Sequence, residues 1–285
     1  MNDVSRRSLL AAGLSPAVGL LAKGKLAGLQ IGVTDWNLRM TGKVEALARA
    51  KSLGFEGVEV SLGRQPADGK LPLANPDLQA QYLAASRQHR SAIAGTCLDI
   101  LHVNYLKSDK LGQKWLADGI AITKKLKTRV MLLPFFGKGA LQTRQEMDYV
   151  ADILRELGPE AEKARILLGL ENTISAEDNV RIMERSRSKA VQVFYDVGNS
   201  MNAGFDPLKE LPWLGKRRIC QIHLKDKGYL GEGKIDFPAV MRLIAEMGYA
   251  GFADLETSAP SGSVDNDMRR NLAYVRDLIE KTRRS

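Results

Sequence analysis

Arg218-Ile-Cys-Gln-Ile-His-Leu-Lys-Asp226 begins as an apolar, β-type run and finishes in an imidazole, an ammonium and a carboxylate. Groups that resist burial are expected at the end of a core strand only where the strand delivers them to a site. Beyond it, a helix-like segment near 236–248 starts at Asp236, whose side chain can accept from first-turn amides. A further strand-like run, Gly251–Ser258, follows, and then an amphipathic segment at 264–283.

Working back toward the N-terminus, the same alternation repeats. Strand-like runs are Leu29–Thr34, Gly57–Leu62, Ala92–Asp99, Arg129–Phe135, Arg165–Asn172 and Val191–Asn199. Helical periodicity falls near 43–53, 76–90, 109–127, 143–163, 176–187 and 206–211, the last cut by Pro212. Eight strand-then-helix units with nearly continuous apolar strands predict an α/β fold, a single-domain (β/α)8 TIM barrel. A doubly wound sheet would carry a Gly-rich phosphate loop after its first strand. Here that turn reads Val33-Thr-Asp-Trp-Asn-Leu-Arg39.

The chain has 285 residues, 44% of them hydrophobic and 26% charged, enough for one large core. Its formal charge is +9, and no Lys/Arg run interleaved with aromatics marks a nucleic-acid surface. Residues 1–28 read as a twin-arginine-type signal segment, with Ser5-Arg-Arg-Ser-Leu-Leu10 ahead of a short apolar run broken by Gly13, Pro16 and Gly19. Export to the periplasm as a folded protein is the expectation, without stable membrane insertion after processing; use of the signal decides between that and the cytoplasm. Residues 29–285 form the barrel. Cys97 and Cys220 lie inside strand-like runs with no CxxC spacing and read as small buried hydrophobes.

In this fold, sites are built where strands end. The last four strands end in Leu168-Gly-Leu-Glu-Asn-Thr173, Phe194-Tyr-Asp-Val-Gly-Asn199, Gln221-Ile-His-Leu-Lys-Asp226 and Ala253-Asp-Leu-Glu-Thr-Ser258. Each carries one potential metal ligand: Glu171, Asp196, His223 and Glu256. Their separations of 25, 27 and 33 residues match one strand-plus-helix unit each. Three carboxylates and one imidazole form an oxygen-rich set suited first to Mn²⁺, with Mg²⁺, Co²⁺ or Zn²⁺ compatible. Carboxylates so close would repel one another, and a divalent cation keeps them ionised. Lys225, two residues beyond His223, has the parity to point inward toward a substrate. Glu59 in Gly57-Val-Glu-Val-Ser61, His102, Asn199 and Trp36 are the remaining candidates for the substrate pocket, Trp36 as an apolar face for a sugar ring.

These endings, the loop Leu230-Gly-Glu-Gly-Lys-Ile-Asp-Phe-Pro238 and Gly54-Phe-Glu-Gly-Val-Glu59 together resemble the xylose-isomerase-like TIM-barrel superfamily of sugar phosphate isomerases/epimerases. The resemblance runs from about Leu29 to the C-terminus. It implies a divalent metal held by Glu171, Asp196, His223 and Glu256, with Glu171 and Glu256 also serving as an acid/base pair. The function expected is a metal-dependent isomerase/epimerase acting on a small carbohydrate through an enediolate. Metal-dependent elimination or hydration of an oxidised sugar or glycoside is the alternative, and a non-catalytic carbohydrate-binding barrel a further one. A homo-oligomer is left open. Two positions depart from the ketose 3-epimerase pattern: Asn199 stands where a histidine is usual after strand 6, and Tyr229 where an arginine follows the strand 7 histidine. An endonuclease-IV-like zinc cluster is excluded by a total of three histidines.

Overall fold

The computed structural model describes residues 26 and 28–284. The twin-arginine-like motif therefore lies outside the described residues. Eight parallel strands close into a barrel in sequence order. They are β1 (Leu29–Thr34), β2 (Gly57–Ser61), β3 (Ala92–Cys97), β4 (Val130–Pro134), β5 (Leu167–Glu171), β6 (Val191–Asp196), β7 (Ile219–Leu224) and β8 (Gly251–Leu255). The seam pairs Leu29 with Gly251 and Val33 with Leu255.

The covering helices are α1 (Ala46–Leu53), α2 (Pro76–His89), α3 (Lys110–Lys125), α4 (Arg144–Ala164), α5 (Ala176–Ser186), α6 (Val197–Asn202), α7 (Pro207–Leu214), α8 (Phe237–Glu246) and α9 (Val264–Arg284). Their starts are chemically marked. Ser175 accepts from the Asp178 amide, Asp236 from the Ala239 amide, and Thr143 and Glu146 form a capping box. Strands such as Val130-Met-Leu-Leu-Pro134 are buried along their whole length because helices cover one face and the barrel interior the other. No helix among the described residues is long and apolar enough to cross a membrane.

Three of the boundaries that differ from the sequence reading have a clear local reason. β6 stops at Asp196 because that side chain turns back to accept from the amides of Gly198 and Asn199, capping α6 where continued strand was expected. Gly198 is required there, since a Cβ would lie 2.9 Å from the Lys225 Cβ and hold α6 away from β7. β3 stops at Cys97, and Asp99–His102 coil into a 3₁₀ turn that carries His102 over the barrel mouth. α7 continues through Pro212, whose missing N–H costs one bond in the last turn.

Candidate metal and active site

Glu171 and Asp196 are the final residues of β5 and β6, His223 the penultimate residue of β7, and Glu256 the first residue after β8. One donor atom from each lies within 4.8 Å of all the others. The His223 Nδ1 sits 3.2 Å from Glu171 Oε1, 3.7 Å from Glu256 Oε2 and 3.8 Å from Asp196 Oδ2. His223, Glu171 and Asp196 are buried, while Glu256 faces the opening.

The imidazole is fixed from behind. Its Nε2 lies 2.7 Å from Glu59 Oε2, so in the neutral ring an Nε2–H donor leaves the Nδ1 lone pair turned toward the four-residue cluster. Phe194 meets the ring edge-on at 4.5 Å, and Trp36 at 6.2 Å. Glu59 is thus not a wall of the pocket. It is fully buried within β2, and its burial corrects the expectation that it touches substrate. Burial pushes its carboxyl up to about 8 against the opposing pull of His223. Burial alone would lower the His223 pKa, but Glu59 and Glu171 hold it well above its ordinary value.

Asp196 tests whether the cluster suits a cation. Its Oδ1 accepts from the Gly198 and Asn199 amides at 2.7 and 2.8 Å, while its buried Oδ2 has no hydrogen-bond partner among the described residues. An unsatisfied buried oxygen costs about 1–3 kcal/mol. Burial raises the Asp196 pKa well above the usual range, with Lys225 opposing. An orphaned carboxylate oxygen facing two more carboxylates and an imidazole nitrogen is a donor set that fits a divalent metal.

Glu256 is pinned at both oxygens: Trp36 Nε1 donates to Oε1 at 3.0 Å and Lys225 Nζ to Oε2 at 2.7 Å. Burial would raise its pKa, but His223 and Lys225 hold it at about 2, so it is ionised. Lys225 also stands 3.6 Å from Asp196 Oδ2. Burial would lower the Lys225 pKa, yet Asp196 and Glu256 keep it well above the ordinary lysine value. Asn199 sits on α6 and donates to Glu171 Oε1 at 3.1 Å.

Above the cluster opens a cavity of about 840 Å³ lined by Glu171, Glu256, Lys225, Asn199, Trp36 and His102, among others. Tyr229 is not among its lining residues: its hydroxyl donates to Asp267 Oδ1 at 2.8 Å and the Arg270 guanidinium covers its ring at 3.7 Å. Asp254, Gln221 and Asp99 are site-adjacent residues the sequence reading passed over. Gln221 donates to Asp254 under His223, and alternation could have found both, because Gln221 shares the inward parity of His223 and Asp254 that of Glu256. Burial lifts Asp254 to about 6, eased by His223.

Residues 47–278 match the family described as xylose isomerase-like TIM barrel. The chain belongs to that family. Solved structures of similar fold include an L-ribulose 3-epimerase, 17% identical with a TM-score of 0.72 over 90% of this chain and 96% of that one. A D-allulose 3-epimerase from Methylomonas sp. is 15% identical, with a TM-score of 0.70 over 88% and 98%. A 3-keto-D-glucoside 4-epimerase from E. coli is 18% identical, with a TM-score of 0.66 over 87% and 99%. At these identities the likeness is one of fold. A comparison with curated proteins finds no match to this sequence.

Proposed function

We propose that the chain is a divalent-metal-dependent sugar isomerase/epimerase, with Glu171, Asp196, His223 and Glu256 as metal ligands and Glu171 and Glu256 as the acid/base pair. The observation that carries this reading is the convergence of those four side chains, with Asp196 Oδ2 making no hydrogen bond among the described residues, at the floor of an open cavity. When bound, the cation, Mn²⁺ foremost, supplies Lewis-acid polarisation of substrate oxygens.

The rest belongs to the chain's own residues. Glu171 reaches the cavity from β5 with its Oε2 free of partners among the described residues, and Glu256 from beyond β8, three strands further round the wall. They can address opposite faces of one sugar carbon, one removing the proton beside a carbonyl and the other returning it. Removal leaves negative charge on the carbonyl oxygen, and the Lys225 ammonium at the cavity wall stabilises that charge. Trp36 and Lys225 fix the Glu256 carboxylate while Asn199 orients that of Glu171. The epimerisations named for the solved relatives support this chemistry over elimination.

The test is incubation of the Mn²⁺-loaded protein with ketoses and keto-glycosides in D₂O. Deuterium entering one carbon beside the carbonyl, together with the epimer, is expected; neither exchange nor epimer across the panel would contradict the reading. The Arg6–Arg7 pair supports export in the folded state. Fractionation should place the protein in the periplasm, and replacing both arginines with lysine should retain it in the cytoplasm.

A further inference from the structure

The proton chemistry gathers on β5–β8, yet much of the cavity wall comes from the loops after β1–β4. About 840 Å³ stands near the top of the roughly 300–1,000 Å³ of pockets that enclose drug-sized ligands. That is more room than a single sugar ring fills. The surplus is bounded by Thr41, Arg64, Gln65, Asp99, His102 and Phe136.

This wall is built rather than merely open. Arg64 Nε donates to Asp99 Oδ2 at 3.2 Å, and the same oxygen accepts from the Ser61 hydroxyl at 2.8 Å. Asp99 Oδ1 accepts from the Gly63 amide at 3.1 Å. Asp99 is buried, whereas the Arg64 side chain is 54% exposed, and its terminal nitrogens have no partner among the described residues. Beside the pair, the His102 and Phe136 rings stack with centroids 6.2 Å apart and planes 22° apart. Burial, reinforced by Arg64, lowers the His102 pKa and favours the neutral imidazole.

A lone arginine would act as an anion hook. Here Asp99 neutralises the guanidinium and holds it in one orientation, leaving a donor edge next to an aromatic face. Hydroxyls on the donor edge and C–H groups against the rings satisfy both surfaces with a neutral pyranose.

We propose that this outer half of the cavity is a second sugar-binding subsite, so that the preferred substrate is a glycoside of disaccharide size with a neutral distal ring. It rests on the proposed function only for the identity of the reacting ring.

Calorimetric titration of the full chain with maltose, cellobiose, trehalose and sucrose, each set against its constituent monosaccharides, tests this without requiring turnover. A chain devoid of epimerase activity could therefore still pass. At least one disaccharide should bind more tightly than its monosaccharides, and Arg64→Ala should narrow that gap about tenfold. Phe136→Ala should narrow it as well, with thermal melts checking that both variants fold. Disaccharides binding no tighter than monosaccharides would overturn the proposal. So would an Arg64→Ala effect confined to glucuronic acid, since that marks an anion site.

Discussion

The two halves of the barrel mouth are made differently. Strands β5–β8 each deliver one donor at or beside their last residue, and those donors meet within 4.8 Å. Strands β1–β4 end in Thr34, Ser61, Cys97 and Pro134, and their polar contributions come from the loops beyond or from beneath. Asp35 and Glu59 are fully buried, and Arg64 and His102 project from the turns after β2 and β3. One half holds the groups that could bind metal and move protons; the other supports and shapes the space around them. In a barrel, strand ends supply fixed chemistry and loops supply selection.

If that division is right, the largest effect comes from the chemical half. Glu256→Gln keeps the shape and the Trp36 contact but removes the charge, and turnover should fall by about 10²–10⁴. Steady-state kinetics on the metal-loaded variant read this, and unchanged kcat would remove Glu256 from the acid/base pair.

The supporting half should show itself first in stability. Burial pushes Asp35 up to about 7 from 3.8, partly offset by the amides of Gly42 and Ser61. Because the folded-state pKa is raised, the unfolded chain binds fewer protons between these values, and this carboxyl makes stability fall as pH rises from about 4 to 7. Asp35→Asn should therefore gain on the parent by up to about 4 kcal/mol on going from pH 4 to pH 8. Parallel denaturant melts at the two pH values measure it; curves that stay equally spaced would place Asp35 as an ordinary carboxylate.

Glu59→Gln reaches across the division, since Glu59 stands behind His223. Loss of the carboxyl that faces the His223 Nε2 should weaken Mn²⁺ binding by about 10–100-fold, read by calorimetry. Affinity equal to that of the parent would make the Glu59–His223 contact a packing feature alone. The smallest effect belongs to Tyr229, which the structure places outside the cavity. Tyr229→Phe should cost about 0.5–1.5 kcal/mol for the bond to Asp267 and leave kcat/KM unaltered. A clear loss of activity would place Tyr229 in the site.

This asymmetry also governs what could be read from the sequence. Glu171, Asp196, His223 and Glu256 were legible because each occupies a strand end and the strands recur at regular spacing. Lys225 was legible from its parity with His223. Glu59 was visible but misplaced: a carboxylate in an apolar strand announces itself, whereas its partner 164 residues away does not. The Arg64–Asp99–Ser61 assembly joins two loops and a strand through contacts without sequence periodicity. The start of α6 was hidden because Phe194-Tyr-Asp-Val197 continues a strand-like pattern, and only the inward fold of the Asp196 side chain onto two amides ends it.

The central claim is that the four side chains ending β5–β8 form one divalent-metal site. Asp196→Asn tests it most directly, because asparagine can keep the α6 cap through its carbonyl while the oxygen that faces the cluster is replaced by an amide. Metal content of the purified full chain and of this variant should be measured by plasma mass spectrometry after loading with Mn²⁺ and removal of free ion. The account predicts near-stoichiometric metal in the parent and little in the variant. Absence of metal from the parent under every loading condition, or equal retention by the variant, would contradict it.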